Sequence, residues 1–210
     1  MKLYWFQVAP NPTKVRLYIA EKIAAGAAIE LEGVVVKLHK GEQHSPAHHA
    51  RNPFATLPVL ELADGSTIVE SLAIIDYLEE MYPLPPMWGF EPRARAQARQ
   101  VERIVEQRLL NPLIAYVHAT NSPTGRPANE HVAQWAAAEW PAALLHLDDL
   151  LADGRSFLVG EAVSVADCSL AATLQFARYN HTDLLEGLDA LAAWDSHYRA
   201  RPVARMVLSL

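Results

Sequence analysis

Residues 82–90 read YPLPPMWGF, three prolines and a glycine with no charge among them. Neither a helix nor a central strand tolerates such a run, so the chain must divide there. The two sides of the break carry different periodicities. Strand-like and helix-like patterns alternate before it, and no strand pattern occurs after it.

On the N-terminal side KLYWF is a short apolar and aromatic strand. PTKVRLYIAEKIAAG then places Val15, Tyr18, Ile19 and Ile23 at helical spacing before Gly26. IELEGVVVKL is β-branched and strand-like, and LPVLEL and STIVE flank an Asp64-Gly65 turn signal, which predicts a hairpin. SLAIIDYLEEMY returns to helical spacing through Leu72, Ile75, Leu78 and Tyr82. On the C-terminal side PRARAQARQVERIVEQRLLNPLIAYVHA carries an apolar stripe through Val101, Ile104, Val105, Leu109, Ile114 and Val117. A second, alanine-rich helical stretch is kinked or interrupted at Pro141, and two further helical stretches follow. The expected architecture is α/β plus all-α: a small mixed sheet with helices over residues 1–81, a linker over 82–90 and an all-helical domain over 91–210.

With 210 residues, 51% of them hydrophobic, 20% charged and a mean hydropathy of +0.01, the chain can bury a sizeable core. Its one cysteine, Cys168, excludes an intramolecular disulfide, a Cys-x-x-Cys redox motif and a multi-cysteine zinc site, and points to a reducing compartment. Thiol chemistry in such a chain would need a sulfur brought by another molecule. The net charge of −6 is spread over both halves and argues against a nucleic-acid module. No apolar run is long enough to span a membrane and the N-terminus lacks the pattern of a leader peptide, so a cytoplasmic protein is expected.

Three short pieces carry candidate chemistry. Asn11-Pro12, between the first strand and the first helix, is a strong helix start, with asparagine as the cap and proline at the first helical position. The same geometry puts the positive end of a helix dipole and free N–H groups where an anion such as a thiolate would be stabilised. Glu70-Ser71 opens the next helix; Ser71 either caps it or, with Glu70, binds the carboxylate and ammonium of an amino-acid head. Leu57-Pro58 opens the third strand. With a cis bond it would turn the Leu57 backbone toward a bound peptide.

In order along the chain, APNPTKVRL, NPFATLPVLEL, DGSTIVESLAIIDYLEEMYP and SVADCSLAA resemble the cytosolic glutathione transferase family over essentially the whole length. The resemblance implies a thioredoxin-like N-terminal domain and a helical-bundle C-terminal domain. In SVADCSLAA, Ser164 and Asp167 match the family's capping motif, a folding element in which serine and an acid satisfy free N–H groups. By the same resemblance Glu70 and Ser71 hold the γ-glutamyl end of glutathione, the Leu57 backbone pairs with its cysteinyl unit, Pro58 is the cis-proline, and Gln43, with His44 as the nearest substitute, touches the glycine carboxylate. A homodimer is implied, and the helix carrying Arg108, Asn111 and Tyr116 borders the pocket for the second substrate, a small-molecule electrophile.

The chain departs from the family twice. Ala9 stands where the variants with Ser/Thr-Pro-Asn carry a hydroxyl, which leaves Asn11 as the catalytic candidate, as in the bacterial nu-like transferases and their fungal relatives. Ala55-Thr56 replaces the Lys, Gln or His that often precedes the cis-proline dipeptide, so Thr56 offers a hydroxyl but no charge to the glycine end. The expected activity is attack of the glutathione thiolate on an electrophile. Glutathione-dependent reduction of a disulfide or peroxide, or a non-catalytic glutathione- or partner-binding role, are the alternatives. No metal is expected: His48 and His49 are adjacent and point apart, and Cys168 reads as a buried, inert thiol. Trp88, Trp135 and Trp140 read as core and docking residues.

Overall fold

The computed structural model describes residues 1–209. Strand β1 (Lys2–Trp5) is followed by α1 (Pro10–Ala24), β2 (Glu32–Val35), a short α2 (Pro46–Arg51), the hairpin β3 (Val59–Glu61) and β4 (Thr67–Val69), and α3 (Ser71–Met81). The strands lie in the order β2-β1-β3-β4, with β1 parallel to β2 and the other pairs antiparallel. A parallel neighbour requires a crossover, and α1 supplies it. The hairpin connection is set by Asp64, whose Oδ1 accepts from the N–H of Ser66 at 2.9 Å, while Gly65 takes φ +85°, a conformation that favours glycine. Gly33 on β2 makes room for a neighbour: a Cβ there would meet Trp5 Nε1 at 3.1 Å, so the indole would have to shift slightly.

After the linker come α4 (Pro92–Ile104), a π-helical segment (Val105–Leu110), α5 (Asn111–Thr120), α6 (Glu130–Glu139), α7 (Pro141–Leu151), α8 (Val165–Tyr179), α9 (Asp189–Ala200) and α10 (Pro202–Val207). Pro141 separates α6 from α7, as its missing N–H requires. The π segment is a departure from the continuous helix that the stripe predicts. Pro112 lies just beyond it, and a proline ring cannot sit against the carbonyl four residues before it in an ordinary α-turn.

Helix α1 packs against α8, and this contact joins the two domains around one core. The linker is fastened rather than loose. Glu79 accepts the N–H of Met87 at 2.6 Å, Trp88 is 4% exposed with its Nε1 donating to Asp76 at 2.9 Å, and Lys22 donates to the carbonyl of Pro85 at 2.8 Å. Ser164 and Asp167 form the expected capping box on α8, and the Asp167 carboxylate also accepts the N–H of Leu158 at 2.8 Å. Cys168 is fully buried, and burial pushes its thiol pKa well up. Two apolar assignments change. Ile23 and Trp135 are both largely exposed, because α1 turns that face to solvent at its last turn and α6 buries only its alanine side through Ala133 and Ala136.

Candidate functional site

A cavity of about 850 Å³ opens between the two domains. One wall is built from the N-terminal domain. Phe6 and Val8 to Pro12 follow β1, Leu38, His39, Gln43 and His44 sit on short turns after β2, and Phe54 to Leu57 precede β3. The facing wall comes from Ile114 and His118 on α5, Pro123, Thr124 and Arg126 on the following loop, and Phe176, Tyr179 and Asn180 at the end of α8. Asn11, Gln43, His44, Thr56 and Leu57 are thereby brought together. Two of the residues on the N-terminal wall, Val8 and Ala55, hold positive φ without being glycine, as does Glu70 nearby. Such conformations cost energy and persist only where the surroundings hold them, a pattern typical of ligand sites.

Asn11 is not the cap of α1. Ala9 occupies that position in extended backbone, the conformation that a residue before proline prefers, and Pro10, Asn11 and Pro12 form the first turn. This changes what the helix terminus can donate. The first turn of a helix ordinarily presents several unpaired N–H groups, but Pro10 and Pro12 have none and Thr13 donates to the Ala9 carbonyl. The backbone N–H and side-chain amide of Asn11 are the donors that remain in that turn. Ser71 Oγ donates to Asn11 Oδ1 across 3.4 Å, which leaves the Nδ2 hydrogens for the cavity.

Ser71 likewise is not a cap. It is the first residue of α3, behind Glu70 at φ +70° and ψ 124°, and it is 6% exposed. Glu70 is exposed and makes no ion pair among the described residues. Neither lines the cavity; Ser71 reaches its edge through Asn11. The Leu57-Pro58 bond is cis, with Leu57 lining the cavity and Pro58 buried behind it. Gln43 is 6% exposed, and its Oε1 has no hydrogen-bond partner among the described residues, so a donor brought by a ligand would satisfy it. Thr56 is held in place: Asn52 Nδ2 donates to its Oγ1 at 2.9 Å and to its carbonyl at 3.0 Å. His48 is buried against the same carbonyl at 3.2 Å, and its burial lowers its pKa, whereas His49 is exposed.

Arg108, Asn111 and Tyr116 do not line this cavity. Arg108 and Asn111 face solvent, and the Tyr116 ring meets Trp140 edge-on at 5.3 Å. Tyr116 lies two residues before His118, about 200° around α5, so the helix face that turns Ile114 and His118 to the cavity turns Tyr116 away from it. His118 is the residue that sequence reasoning missed. Its Nδ1 lies 2.9 Å from Ser122 Oγ, and burial, with the nearby charge of Arg126, lowers its pKa, so the imidazole is neutral near pH 7. In the tautomer that donates Nδ1–H to Ser122, Nε2 is left as an acceptor.

Residues 3–86 match the family model for the glutathione S-transferase N-terminal domain and residues 92–194 the model for its C-terminal domain. The chain is 29% identical to glutathione S-transferase 2 of Saccharomyces cerevisiae, over 100% of its own length and 90% of that protein. It is 30% identical to the maleylacetoacetate isomerase of Mus musculus, over 81% of this chain and 75% of that one. The crystal structure of a glutathione S-transferase domain-containing protein from Marinobacter aquaeolei VT8 superposes with a TM-score of 0.85 at 32% identity, covering 97% of this chain and 100% of the other.

Proposed function

The chain belongs to the glutathione S-transferase family, and on that premise we propose that it binds glutathione along the N-terminal wall of the cavity and holds the sulfur as a thiolate beside Asn11. The observation that carries this reading is the isolation of Asn11 between two prolines, with its carbonyl end occupied by Ser71 and its amide hydrogens left for a ligand. In this reading Glu70 and the α3 terminus at Ser71 take the γ-glutamyl head, the Leu57 backbone pairs with the cysteinyl unit, and Gln43, His44 and Thr56 surround the glycine end. Residues 1–81 are then the glutathione-binding domain, 82–90 the linker and 91–210 the domain that borders the electrophile.

A free thiol has a pKa of about 8.5, so it is mostly protonated at neutral pH. Each unit removed corresponds to about 1.4 kcal/mol of preferential stabilisation of the thiolate. Asn11 supplies that through charge-assisted hydrogen bonds and the positive end of α1. In this reading the neutral His118 on the opposite wall of the cavity accepts the thiol proton, and the sulfur then attacks the electrophile. The reaction class is addition or substitution at carbon. The likeness to a maleylacetoacetate isomerase favours a second reading, in which glutathione adds to an unsaturated substrate and leaves again, giving net isomerisation. The protein works as a cytoplasmic homodimer in either case, which a sedimentation mass equal to one chain would overturn.

Ultraviolet titration of the thiolate band with glutathione bound tests the reading. A thiol pKa below that of free glutathione, restored by Asn11→Ala, is the expected result. A bound thiol that titrates at its free value would show a binding module without thiolate activation.

A further inference from the structure

The chain carries 24 acidic residues and a net charge of −6, yet the walls of its largest described cavity include no aspartate or glutamate. The titratable side chains that line it are His39, His44, His118, Arg126 and Tyr179, none of them a carboxylate. His39 and His44 stand on the N-terminal wall with Gln43, where the proposed tripeptide site lies. Arg126 stands on the other wall, on the loop after α5, a wall that also carries Ile114, His118 and Tyr179. It makes no ion pair among the described residues, whereas ten other lysines and arginines there form eleven, Arg51–Glu61 and Arg155–Asp153 among them.

We propose that Arg126 selects the second substrate: the helical-domain wall it shares with Ile114, His118 and Tyr179 takes an electrophile that carries a carboxylate on an otherwise apolar frame. This rests on the reading of the cavity as a glutathione site and adds the chemical class of the second ligand. Both carboxylates of glutathione are assigned to other places, one at the start of α3 and one near Gln43, so Arg126 is a cation left over. A planar guanidinium matches a carboxylate with two parallel N–H donors. The neighbouring surface is apolar or aromatic, through Ile114, Pro123, Phe176 and Tyr179, which suits a single anionic group on a hydrophobic body. The charge of Arg126 also reaches His118 and helps to keep it neutral. A carboxylate bound at Arg126 would offset that charge and make the imidazole a better proton acceptor once substrate is in place.

The test compares chlorodinitrobenzene with its ring-carboxylated analogue, chlorodinitrobenzoate, as glutathione acceptors. In both reactions the sulfur bonds to the ring carbon, chloride leaves with the electron pair of the C–Cl bond, and the thiol proton passes through the enzyme to solvent. Each kcat/KM is divided by the uncatalysed rate with glutathione, and glutathione affinity is measured separately by calorimetry. The expected result is a corrected preference for the benzoate of roughly 10-fold or more in the unaltered protein. Arg126→Gln removes that preference and Arg126→Lys keeps part of it. If glutathione binds and turns over but the preference is absent, or survives in Arg126→Gln, the assignment of Arg126 is overturned while the glutathione reading stands. If Arg126→Gln instead weakens glutathione binding without changing the preference, Arg126 belongs to the tripeptide and the proposal fails. If no glutathione binds, both readings fail together.

Discussion

Asn11 and Glu70 show how much of this site is decided by single residues. Two prolines strip the first turn of α1 of N–H donors and concentrate what remains on Asn11. Asn11→Ala is therefore expected to lower kcat roughly 10²-fold, the scale found when one donor is removed from a developing anion, with little change in melting temperature. Asn11→Asp keeps the shape but puts a negative charge beside the sulfur, so it should raise the bound thiol pKa further than alanine does; the thiolate absorbance reads both. Glu70 holds φ +70° at a cost of order 1–3 kcal/mol for a residue other than glycine. Glu70→Gly relieves that strain while it deletes the carboxylate. If Glu70 is kept for a ligand ammonium, the variant melts at the same temperature or higher and binds glutathione about 10-fold or more weakly by calorimetry; unchanged affinity would remove Glu70 from the site.

At the scale of elements, the sequence was readable where a residue type has one local consequence. Pro141 ends a helix by lacking an N–H, Asp64-Gly65 makes a turn, and Ser164 with Asp167 caps α8 through neighbours three positions apart. It misled where two such rules act on adjacent positions. Asn11 looks like a cap because asparagine favours that place, but Pro10 already begins the helix one residue earlier. Ser71 gives way in the same manner to the strained Glu70. The π segment carries no mark beyond Pro112, and helical spacing alone does not say which side of α5 meets the cavity. Contacts between elements distant in sequence decide it: the Tyr116 ring meets Trp140 while Ile114 and His118 face the cavity. The capping box also makes a pH prediction. Burial raises the Asp167 carboxyl to about 6 against the donors at Leu158 and Ser164. A carboxyl raised in the folded state binds its proton more tightly there than in the unfolded chain, so its contribution to stability is largest in acid and is lost as pH rises through about 6. Asp167→Asn removes the titration. Unfolding free energies of the two proteins should thus diverge in favour of the unaltered one by about 1 kcal/mol more at pH 5 than at pH 7. The opposite trend would mean that the three donated hydrogen bonds hold the carboxylate ionised.

Across the whole molecule the cavity lies where two domains meet, and buried charge on α1 ties them together. Lys14, one turn beyond Asn11 and fully buried, donates to Glu102 on α4 at 3.1 Å and to Glu106 in the π segment at 2.7 Å; Ser169 on α8 donates to Glu102 at 3.0 Å. At the far end of the same helix Arg201 donates to Glu21 at 2.9 Å, and Tyr18 and Lys22 meet Glu79 at 2.6 Å and 3.0 Å. None of these partners is close in sequence, so hydrophobic periodicity gave no sign of them. Burial pushes the Glu102 pKa up and Lys14 draws it back; burial also raises Glu106, but the charge of Lys14, its hydrogen bond and the nearby Arg103 together hold that carboxyl below the usual range. Removing the cation leaves Glu102 in the core with one oxygen, Oε2, already without a partner. Lys14→Met is expected to cost about 3–5 kcal/mol in denaturant unfolding, because an unpaired buried charge remains. The double variant Lys14→Met with Glu102→Met should recover a large part of that loss, since matched apolar replacements of a buried pair are often near neutral. A site that depends on the docking angle behaves differently from the fold. If Lys14 positions Asn11 against the helical wall, the double variant regains stability yet keeps a raised KM for the second substrate. If both recover together, the charges serve the fold alone and the apolar contact between α1 and α8 is sufficient to set the cavity.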